Sequence, residues 1–232
     1  MITPTHVLVI ADGDVDEALL GTLAAEEGTA LVAADGGAGR VLRAGLVPDV
    51  VVGDFDSLTG DDRARLEGLG TELRVASPDK DESDTELCLL TALELGASRI
   101  TVLGAFGLVR PEHSVANLML LADPRFDGLD LALAGRGSRV VRRGTADGPA
   151  HIELEGEPGD FVSLFPLGDV VEGVVTDGLR FPLIDEALLL GTPRGLSNEL
   201  LSGRARVSAR RGRLLVIHTR RAMADAPAAG GA

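Results

Sequence analysis

Residues 30–57 read ALVAADGGAGRVLRAGLVPDVVVGDFDS, and this stretch decides the fold class. Two short apolar runs, Ala30–Ala34 and Val50–Val52, flank a segment with helical periodicity. Both runs are continuous rather than alternating, which is typical of strands buried on both faces of a parallel sheet. Polar residues follow each run at once, as Asp35–Gly37 and as Gly53–Ser57. The stretch therefore predicts a β–α–β unit that carries acidic groups at its strand ends.

The same alternation extends through residues 1–136 and predicts a parallel α/β domain. Further strands are expected at Val7–Ala11, Leu73–Ala76, Ile100–Leu103 and Leu129–Ala134, and helices at 14–27, 36–44, 61–69, 83–95 and 113–121. After that boundary the apolar runs are short, β-rich and separated by glycine, which predicts an antiparallel β-sandwich domain over 137–221. The tail, 222–232, is rich in alanine and glycine and is expected to be disordered.

Composition excludes several classes of protein. The chain has 232 residues and a formal net charge of -14, which disfavours partners such as nucleic acid or an anionic membrane surface. Its single cysteine, Cys88, excludes an internal disulfide framework and fits a cytoplasmic, reducing compartment. We find no signal-peptide pattern and no apolar run of membrane-spanning length.

Two acidic motifs follow predicted strands. Residues 79–86 hold the chain's only lysine, Lys80, among the carboxylates of Asp79, Asp81, Glu82, Asp84 and Glu86. The other motif is the Asp-x-Asp pair of Asp54 and Asp56. Divalent cations prefer carboxylate oxygens, and lysine supplies a point charge for phosphate. Because ligands of open parallel sheets bind beyond the carboxyl ends of the strands, the motifs predict one site for a cation and a polyphosphate.

A structural interpretation accounts for part of this acidity. Ser83 and Glu86 form a capping-box pattern, which predicts a helix start where the helix dipole favours the charge of Asp84. A solvated acidic loop is the alternative for the remainder. Likewise Gly36 and Gly37 either cradle phosphate at a helix start or only allow the chain to turn.

The fifth strand end adds a further polar group. Gly104–Gly107 leads into Arg110, Glu112 and His113, and the placement of His113 favours a functional role. Asn117, one turn later, either faces the same cleft or caps a backbone group. The sequence contains neither a Walker motif nor G-x-G-x-x-G, so nucleotide binding rests on the acidic residues.

Taken in order, the motifs resemble the thiamine pyrophosphokinase family. They comprise Asp35–Gly37, Pro48-Asp49 with Gly53–Ser57, Asp79–Glu86, Gly104–His113 with Asn117, and Gly195–Glu199. The resemblance implies an α/β nucleotide domain followed by a β-sandwich that binds thiamine. It also implies transfer of a diphosphoryl group from ATP to the hydroxyl of thiamine with Mg²⁺, giving thiamine diphosphate and AMP. A homodimer with thiamine near the subunit interface is implied as well.

The resemblance also implies roles for individual residues. Asp54 and Asp56, with Asp79 or Asp81, would hold magnesium and orient the polyphosphate, and Asp84 would lie beside them. Lys80 would offset charge that develops on the transferred group. The other expected contacts with nucleotide or thiamine are Asp35, Gly36, Gly37, Ser57, Arg110, His113, Asn117, Ser197 and Asn198.

Two departures from the family pattern concern the acceptor. The segment 107–113 carries one extra residue, and Glu112 stands where aspartate is expected. The chain has no tryptophan or tyrosine, so Phe106, Phe181 or aliphatic side chains would pack against the aminopyrimidine ring. The alternatives are therefore a pyrophosphokinase for another heterocyclic alcohol, such as a hydroxymethylpterin, and a non-catalytic protein that binds thiamine diphosphate or nucleotide. A glycosyltransferase that uses Asp54 and Asp56 is a minor alternative.

Overall fold

The computed structural model describes residues 4–77, 79–107 and 110–225. These residues fall into two compact units. The first comprises the described residues up to Leu121 together with Gly128–Gly135, and the second comprises Ala122–Asp127 together with those from Arg136 onward. The short segment Ala122–Asp127 therefore belongs to the second unit, although in the sequence it precedes Gly128–Gly135, which belongs to the first unit.

The first unit is a parallel sheet with helical connections. Its strands are β1 (His6–Ile10), β2 (Thr29–Ala34), β3 (Val50–Gly53), β4 (Glu72–Val75), β5 (Arg99–Leu103) and β6 (Asp130–Gly135). Its helices are α1 (Glu17–Ala24), α2 (Asp35–Arg43), α3 (Gly60–Gly68), α4 (Asp84–Glu94) and α5 (Pro111–Leu120). The strand order is β6-β5-β1-β2-β3-β4, and all neighbouring pairs are parallel. The continuous apolar runs of β1, β2, β3, β5 and β6 are thus largely buried strands, as predicted. The run at β4 is not buried, because β4 lies at the edge of the sheet and Val75 is 68% exposed.

Strand β1 lies in the middle of this sheet, and every one of its residues is buried. Its register aligns Val9 with Val32 of β2 on one side and with Val102 of β5 on the other. Leu8 and Ile10 belong to a buried cluster that includes Leu20 of α1 and Val41 of α2. These two residues share one face of the strand, and Val7 and Val9 on the opposite face are equally buried on the side where α4 packs against β1. Both faces are therefore covered, as a parallel sheet requires.

Helix α2 lies very close to the end of β1. A Cβ atom on Gly37 would be 2.2 Å from the main-chain oxygen of Ile10, so only glycine fits there. Gly37 therefore serves backbone packing and brings the start of α2 to the carboxyl end of β1. This placement matters because the start of α2 carries Asp35.

The second unit contains two antiparallel arrays of strands. The strands are β7 (Ser138–Arg143), β8 (Ala150–Glu155), β9 (Phe161–Pro166), β10 (Val170–Asp177), β11 (Glu186–Leu189), β12 (Asn198–Glu199), β13 (Arg204–Ala209) and β14 (Leu214–Thr219). Their orders are β12-β9-β14-β7 and β11-β10-β13-β8. Val141, Val216 and Leu154 line a common cleft of about 240 Å³, so β7 and β14 of one array face β8 of the other.

Several elements differ from the sequence prediction. Helix α1 begins at Glu17 because Asp16 is its N-cap and accepts a hydrogen bond from Leu19 N. Strand β11 was not predicted, since its sequence EALL favours helix and only pairing with β10 makes it extended. Of the tail expected from Ala222, the first residues complete a short helix, α6 (Arg221–Ala224), and 226–232 lie outside the described residues. Among the helices described here, none combines the length and apolar character needed to span a membrane.

Candidate active site

The Asp-x-Asp motif forms a loop around a buried phenylalanine. Phe55 has a φ of 63°, a region that non-glycine residues rarely adopt, and its ring joins the core under α2 and α3. Arg63 stacks over the ring with its guanidinium carbon 5.3 Å from the centroid. Asp54 Oδ1 accepts a hydrogen bond from Asp56 N at 3.2 Å. The buried ring thus anchors the loop and leaves the two flanking carboxylates at the rim of the sheet.

Asp35 brings a third carboxylate to the same place. Oxygens of Asp35, Asp54 and Asp56 all lie within 4.8 Å of one another. Asp35 is only 4% exposed, and its Oδ1 accepts a hydrogen bond from Gly36 N at 2.6 Å. Its Oδ2 is buried and has no hydrogen-bond partner among the described residues. A Cβ atom on Gly53 would be 2.8 Å from Asp35 Cγ, so the end of β3 must be glycine for this carboxylate to fit.

The carboxylate group fits a divalent cation. Burial raises the pKa of Asp35, and the negative charges of Asp84 and Asp54 raise it further. The backbone N–H groups of Gly36 and Ser57 act in the opposite direction and lower it, but they do not outweigh burial and charge. A buried, unpartnered oxygen in a cluster of acids is unfavourable unless a positive charge is present. Oxygen ligands of this kind are those that Mg²⁺ takes in proteins.

Lys80 and Asp84 lie beside this group. Lys80 Nζ is 2.7 Å from Asp84 Oδ1, and the Lys80 side chain is 15% exposed. Partial burial opposes the charged form of Lys80. The ion pair with Asp84, together with the fields of Asp54 and Asp35, outweighs burial and raises its pKa above the ordinary value. Acids of both motifs therefore raise the pKa of one lysine. This agrees with the prediction that the two motifs meet at the strand ends.

The first turn of α4 holds Asp84 in position. Ser83 is the N-cap and its side chain accepts a hydrogen bond from Glu86 N at 3.2 Å, which confirms the helix start expected from the capping-box pattern. Asp79 and Asp81 precede this cap and are exposed. Asp79 N donates to Ser77 Oγ at 3.2 Å. Among the residues described, neither belongs to the group of Asp35, Asp54 and Asp56. The sequence predicted Asp54 and Asp56 as metal ligands but expected Asp35 only as a contact with nucleotide or thiamine.

Ser57 contacts the carboxylates instead of capping the next helix. Its hydroxyl donates to Asp56 Oδ1 at 3.0 Å, and its backbone lies close enough to Asp35 to help lower the pKa of that carboxyl. The N-cap of α3 is Thr59, whose side chain accepts from Asp62 N. Gly36 and Gly37, the glycines expected to cradle phosphate, pack against different parts of the protein. A Cβ atom on Gly36 would lie 2.7 Å from the carboxylate of Asp12, and one on Gly37 would lie 2.2 Å from the main-chain oxygen of Ile10.

At the end of β5, the predicted residues have different environments. Arg110 Nε donates to Glu112 Oε1 at 2.8 Å, and this hydrogen bond is the main cause of the lowered pKa of Glu112. His113 is exposed on the first turn of α5. Asn117 is buried, and its Nδ2 donates to the main-chain oxygen of Ala105 at 2.8 Å, which fixes the loop after β5. Leu108 and Val109, within the segment that departs from the family pattern, lie outside the described residues.

In the second unit, Asn198 contacts a loop that carries Phe181, whereas Ser197 contacts Ser163. Asn198 is buried, and its Oδ1 accepts from the backbone N–H groups of Phe181 and Glu199 while its Nδ2 donates to Phe181 O at 2.6 Å. Ser197 is exposed with a φ of 55°, and its N–H donates to Ser163 Oγ. The amide of Asn198 therefore holds Phe181, a residue that stays 53% exposed.

Sequence reasoning missed two polar residues near the start of α2. Arg40 Nη2 donates to the main-chain oxygen of Asp12 at 2.7 Å, so α2 is joined to the end of β1. Asp12 follows β1 almost directly, and applying the strand-end rule to the first strand would have found it. Arg40 lies one helical turn after Gly36, on the same face of α2.

Comparisons with known proteins agree over most of the chain. The family model "Thiamin pyrophosphokinase, catalytic domain" matches residues 23–133, and the model "Thiamin pyrophosphokinase, vitamin B1 binding domain" matches residues 150–214. A thiamine pyrophosphokinase from Bacillus subtilis (strain 168) is 29% identical over 194 residues, covering 84% of this chain and 89% of that protein.

A plant relative and a solved structure extend this agreement. Thiamine pyrophosphokinase 1 from Oryza sativa subsp. japonica is 30% identical over 189 residues, covering 72% of this chain and 70% of that protein. The crystal structure of the thiamine pyrophosphokinase from Bacillus subtilis superposes with a TM-score of 0.80 at 26% identity, covering 93% of this chain and 99% of that one. The chain therefore belongs to the thiamin pyrophosphokinase family.

Proposed function

We propose that the chain transfers the β- and γ-phosphates of ATP, as one diphosphoryl group, to the hydroxyl of thiamine, giving thiamine diphosphate and AMP. One observation carries this proposal: the carboxylates of Asp35, Asp54 and Asp56 meet beside the ion pair of Lys80 and Asp84. This group lies within the part of the chain that matches the family's catalytic domain. Acids for a cation and a lysine for phosphate are the elements that phosphoryl transfer requires.

The residues proposed to hold Mg²⁺ are Asp35, Asp54 and Asp56, because their oxygens are close together and one of them is buried without a partner. Asp79 or Asp81 remains a predicted additional ligand. A bound magnesium ion would neutralise charge on the polyphosphate and orient it for attack.

The chain's own residues then favour transfer by position and charge. The hydroxyl oxygen of thiamine attacks the β-phosphorus, the bond from that phosphorus to the oxygen bridging to the α-phosphate breaks, and AMP leaves while the hydroxyl proton is released. Lys80, held by Asp84, places a positive charge beside the group in transfer. Such charge stabilisation is the main contribution that a protein makes to phosphoryl transfer.

The proposed thiamine contacts lie in the second unit, around Ser197, Asn198 and Phe181. Phe181, held by Asn198 and 53% exposed, offers an aromatic surface in a chain without tryptophan or tyrosine. The guanidinium carbon of Arg180 lies 5.5 Å from the ring centroid and covers part of that surface. We further propose assembly as a homodimer, which the resemblance to the thiamine pyrophosphokinase family implies. Light scattering should then give about twice the chain mass of 24.0 kDa. The cytoplasmic location remains a prediction that rests on the single cysteine.

The test is AMP formation from ATP, thiamine and Mg²⁺. Replacement of Asp54 by asparagine should lower turnover by about 100-fold or more, because it removes a charge from the proposed magnesium group. Asp61, an exposed acid in the first turn of α3, is the matched control, and Asp61→Asn should retain activity. A wild-type protein that binds thiamine diphosphate without forming AMP would instead be a non-catalytic binder. Faster AMP release with a hydroxymethylpterin than with thiamine would identify a different acceptor.

A further inference from the structure

Arg40 has a buried donor for which the protein supplies no acceptor. Its side chain is 33% exposed, and Nη2 donates to the main-chain oxygen of Asp12. Nε, however, is buried and contacts no hydrogen-bond acceptor among the described residues. A buried N–H without a partner is unfavourable, and guanidinium presents its donors in a planar fork that matches phosphate. The arrangement indicates that an oxyanion completes the contacts of Arg40.

The neighbouring carboxylate does not neutralise this guanidinium. Asp12 Oδ1 is 3.8 Å from Arg40 Nη2, and the Asp12 side chain is 76% exposed. An ion pair of that length at an exposed carboxylate is weak because water screens it. The short bond to the Asp12 carbonyl therefore orients Arg40, while most of its charge stays available to a ligand.

The position of Arg40 relates it to a particular part of the substrate. The order of the sheet places β1 between β5 and β2, and the chain changes direction along the sheet between β1 and β5. Nucleotides bind at such switch points, beyond the carboxyl ends of the strands. The loops after β1 and β5 meet there, since Gly13 N donates to Gly104 O at 2.8 Å. Arg40 contacts the β1 loop, while Asp35 begins the same helix next to β3.

We propose that Arg40 binds the α-phosphate of ATP, which remains on AMP after transfer. This inference rests on the proposed function, in which the β- and γ-phosphates lie at the carboxylate group near β3 and Lys80. A triphosphate extending from that group towards the β1–β5 crevice brings its α-phosphate to the β1 side, where Arg40 is held. There the guanidinium both binds the nucleotide and stabilises the negative charge that develops on the departing AMP.

Binding of AMP and of adenosine tests this assignment without any turnover. By calorimetry, the wild-type protein should bind AMP at least about tenfold more tightly than adenosine, as expected for a charged hydrogen bond. Arg40→Gln should lose most of that preference while its affinity for adenosine is unchanged. Arg43→Gln, which removes the same charge from an exposed position on the same helix, should keep it.

Kinetics supply a second measurement. Arg40→Gln should raise KM for ATP and lower kcat, and Arg40→Lys should recover part of both losses because the charge is retained. Equal affinities of the wild type for AMP and adenosine, or an unchanged preference in Arg40→Gln, would overturn the assignment. Failure of the wild type to form AMP from ATP and thiamine would instead refute the proposed function, and the two results are separately observable.

Discussion

At the scale of single residues, the position of Asp35 depends on a glycine in the neighbouring strand. The Cγ atom of Asp35 occupies space that a side chain on Gly53 would need, with 2.8 Å between Cγ and the first added atom. The cluster of carboxylates thus depends on Asp35, Asp54 and Asp56 and also on Gly53, which leaves space for the side chain of Asp35. A second local device is Phe55, whose burial orients the acids on either side of it.

We expect Gly53→Ala to lower activity by about 100-fold while the protein stays folded, because small displacements of groups at a reacting centre are costly. The concentration of Mg²⁺ needed for half-maximal activity should rise in the same variant. Gly68→Ala is the control, since no atom lies within 4 Å of the added Cβ and the residue is helical. That change should raise the free energy of unfolding by about 0.5 kcal/mol. Equal activity of both variants would show that Asp35 is not required at its present position.

At the scale of elements, α4 shows how one helix start serves both folding and the proposed chemistry. Its start was predictable because the capping pattern of Ser83 and Glu86 is local, and the structure confirms the side-chain to backbone bond. The same cap fixes the first turn, which carries Asp84 and through it Lys80. Strand β11 was not predictable in this way, because its residues favour helix and the pairing that makes it a strand lies elsewhere in the chain.

Removing the cap should separate these two roles of α4. Both Ser83→Ala and Thr59→Ala delete an N-cap bond, in α4 and α3 respectively, and each should lower the free energy of unfolding by about 1 kcal/mol. Only Ser83→Ala should also reduce turnover, since only α4 positions Asp84. Urea unfolding and AMP-release assays measure the two effects, and equal activities of the variants would contradict the link between the cap and the site.

Helix α4 also buries the single cysteine, one turn after Asp84. Cys88 is fully buried, and burial, followed by the charges of Asp84 and Asp35, raises the pKa of its thiol well above the ordinary value. The thiolate is the reactive form, so we expect iodoacetamide to leave the native protein unmodified at pH 8 and to label it once in urea. Mass spectrometry measures the modification, and rapid labelling of the native protein would contradict this packing of α4.

At the scale of the whole molecule, strand-end placement made the general location of the site predictable. Parallel strands bring their carboxyl ends to one edge, so motifs that are distant in sequence meet there whatever the details of the loops. The membership of the site was less predictable, because it depends on side-chain direction within each turn. Asp35 joins Asp54 and Asp56, whereas Asp79 and Asp81 precede the cap of α4 and remain exposed. Arg40 could not be found from spacing, because the role proposed for it depends on a hydrogen bond to the main-chain oxygen of Asp12.

The stability of the whole molecule should depend on one buried acid in the second unit. Burial disfavours the charged form of Asp160, but hydrogen bonds from the backbone of Glu157 and Arg221 and from His218 outweigh it and lower its pKa. A lowered pKa means that the stabilisation is complete above the unfolded-state value, about 3.9, and is lost as pH falls through the folded-state value.

We therefore expect Asp160→Asn to lower the free energy of unfolding by about 2 kcal/mol from pH 5 to 7. The difference from the wild type should shrink below about pH 4 as the native carboxylate becomes protonated. Denaturant melts over this range measure it, with Asp177→Asn, at an exposed position of β10, as the control. A difference that does not change with pH would show that the charge of Asp160 is not the source of the stabilisation.

The partly buried amine of Lys80 makes a selective labelling experiment possible. Every other basic side chain of the Lys and Arg type in this protein is arginine, so a reagent that acylates primary amines has a single internal target, and that target lies beside the proposed magnesium ligands. Because a bound ligand would shield this amine, the extent of acylation, measured by mass spectrometry, then reports the fraction of molecules that have a ligand at the site. The chain lacks indole and phenol groups and therefore gives little optical signal, but Lys80 can serve as an internal chemical probe of ligand binding.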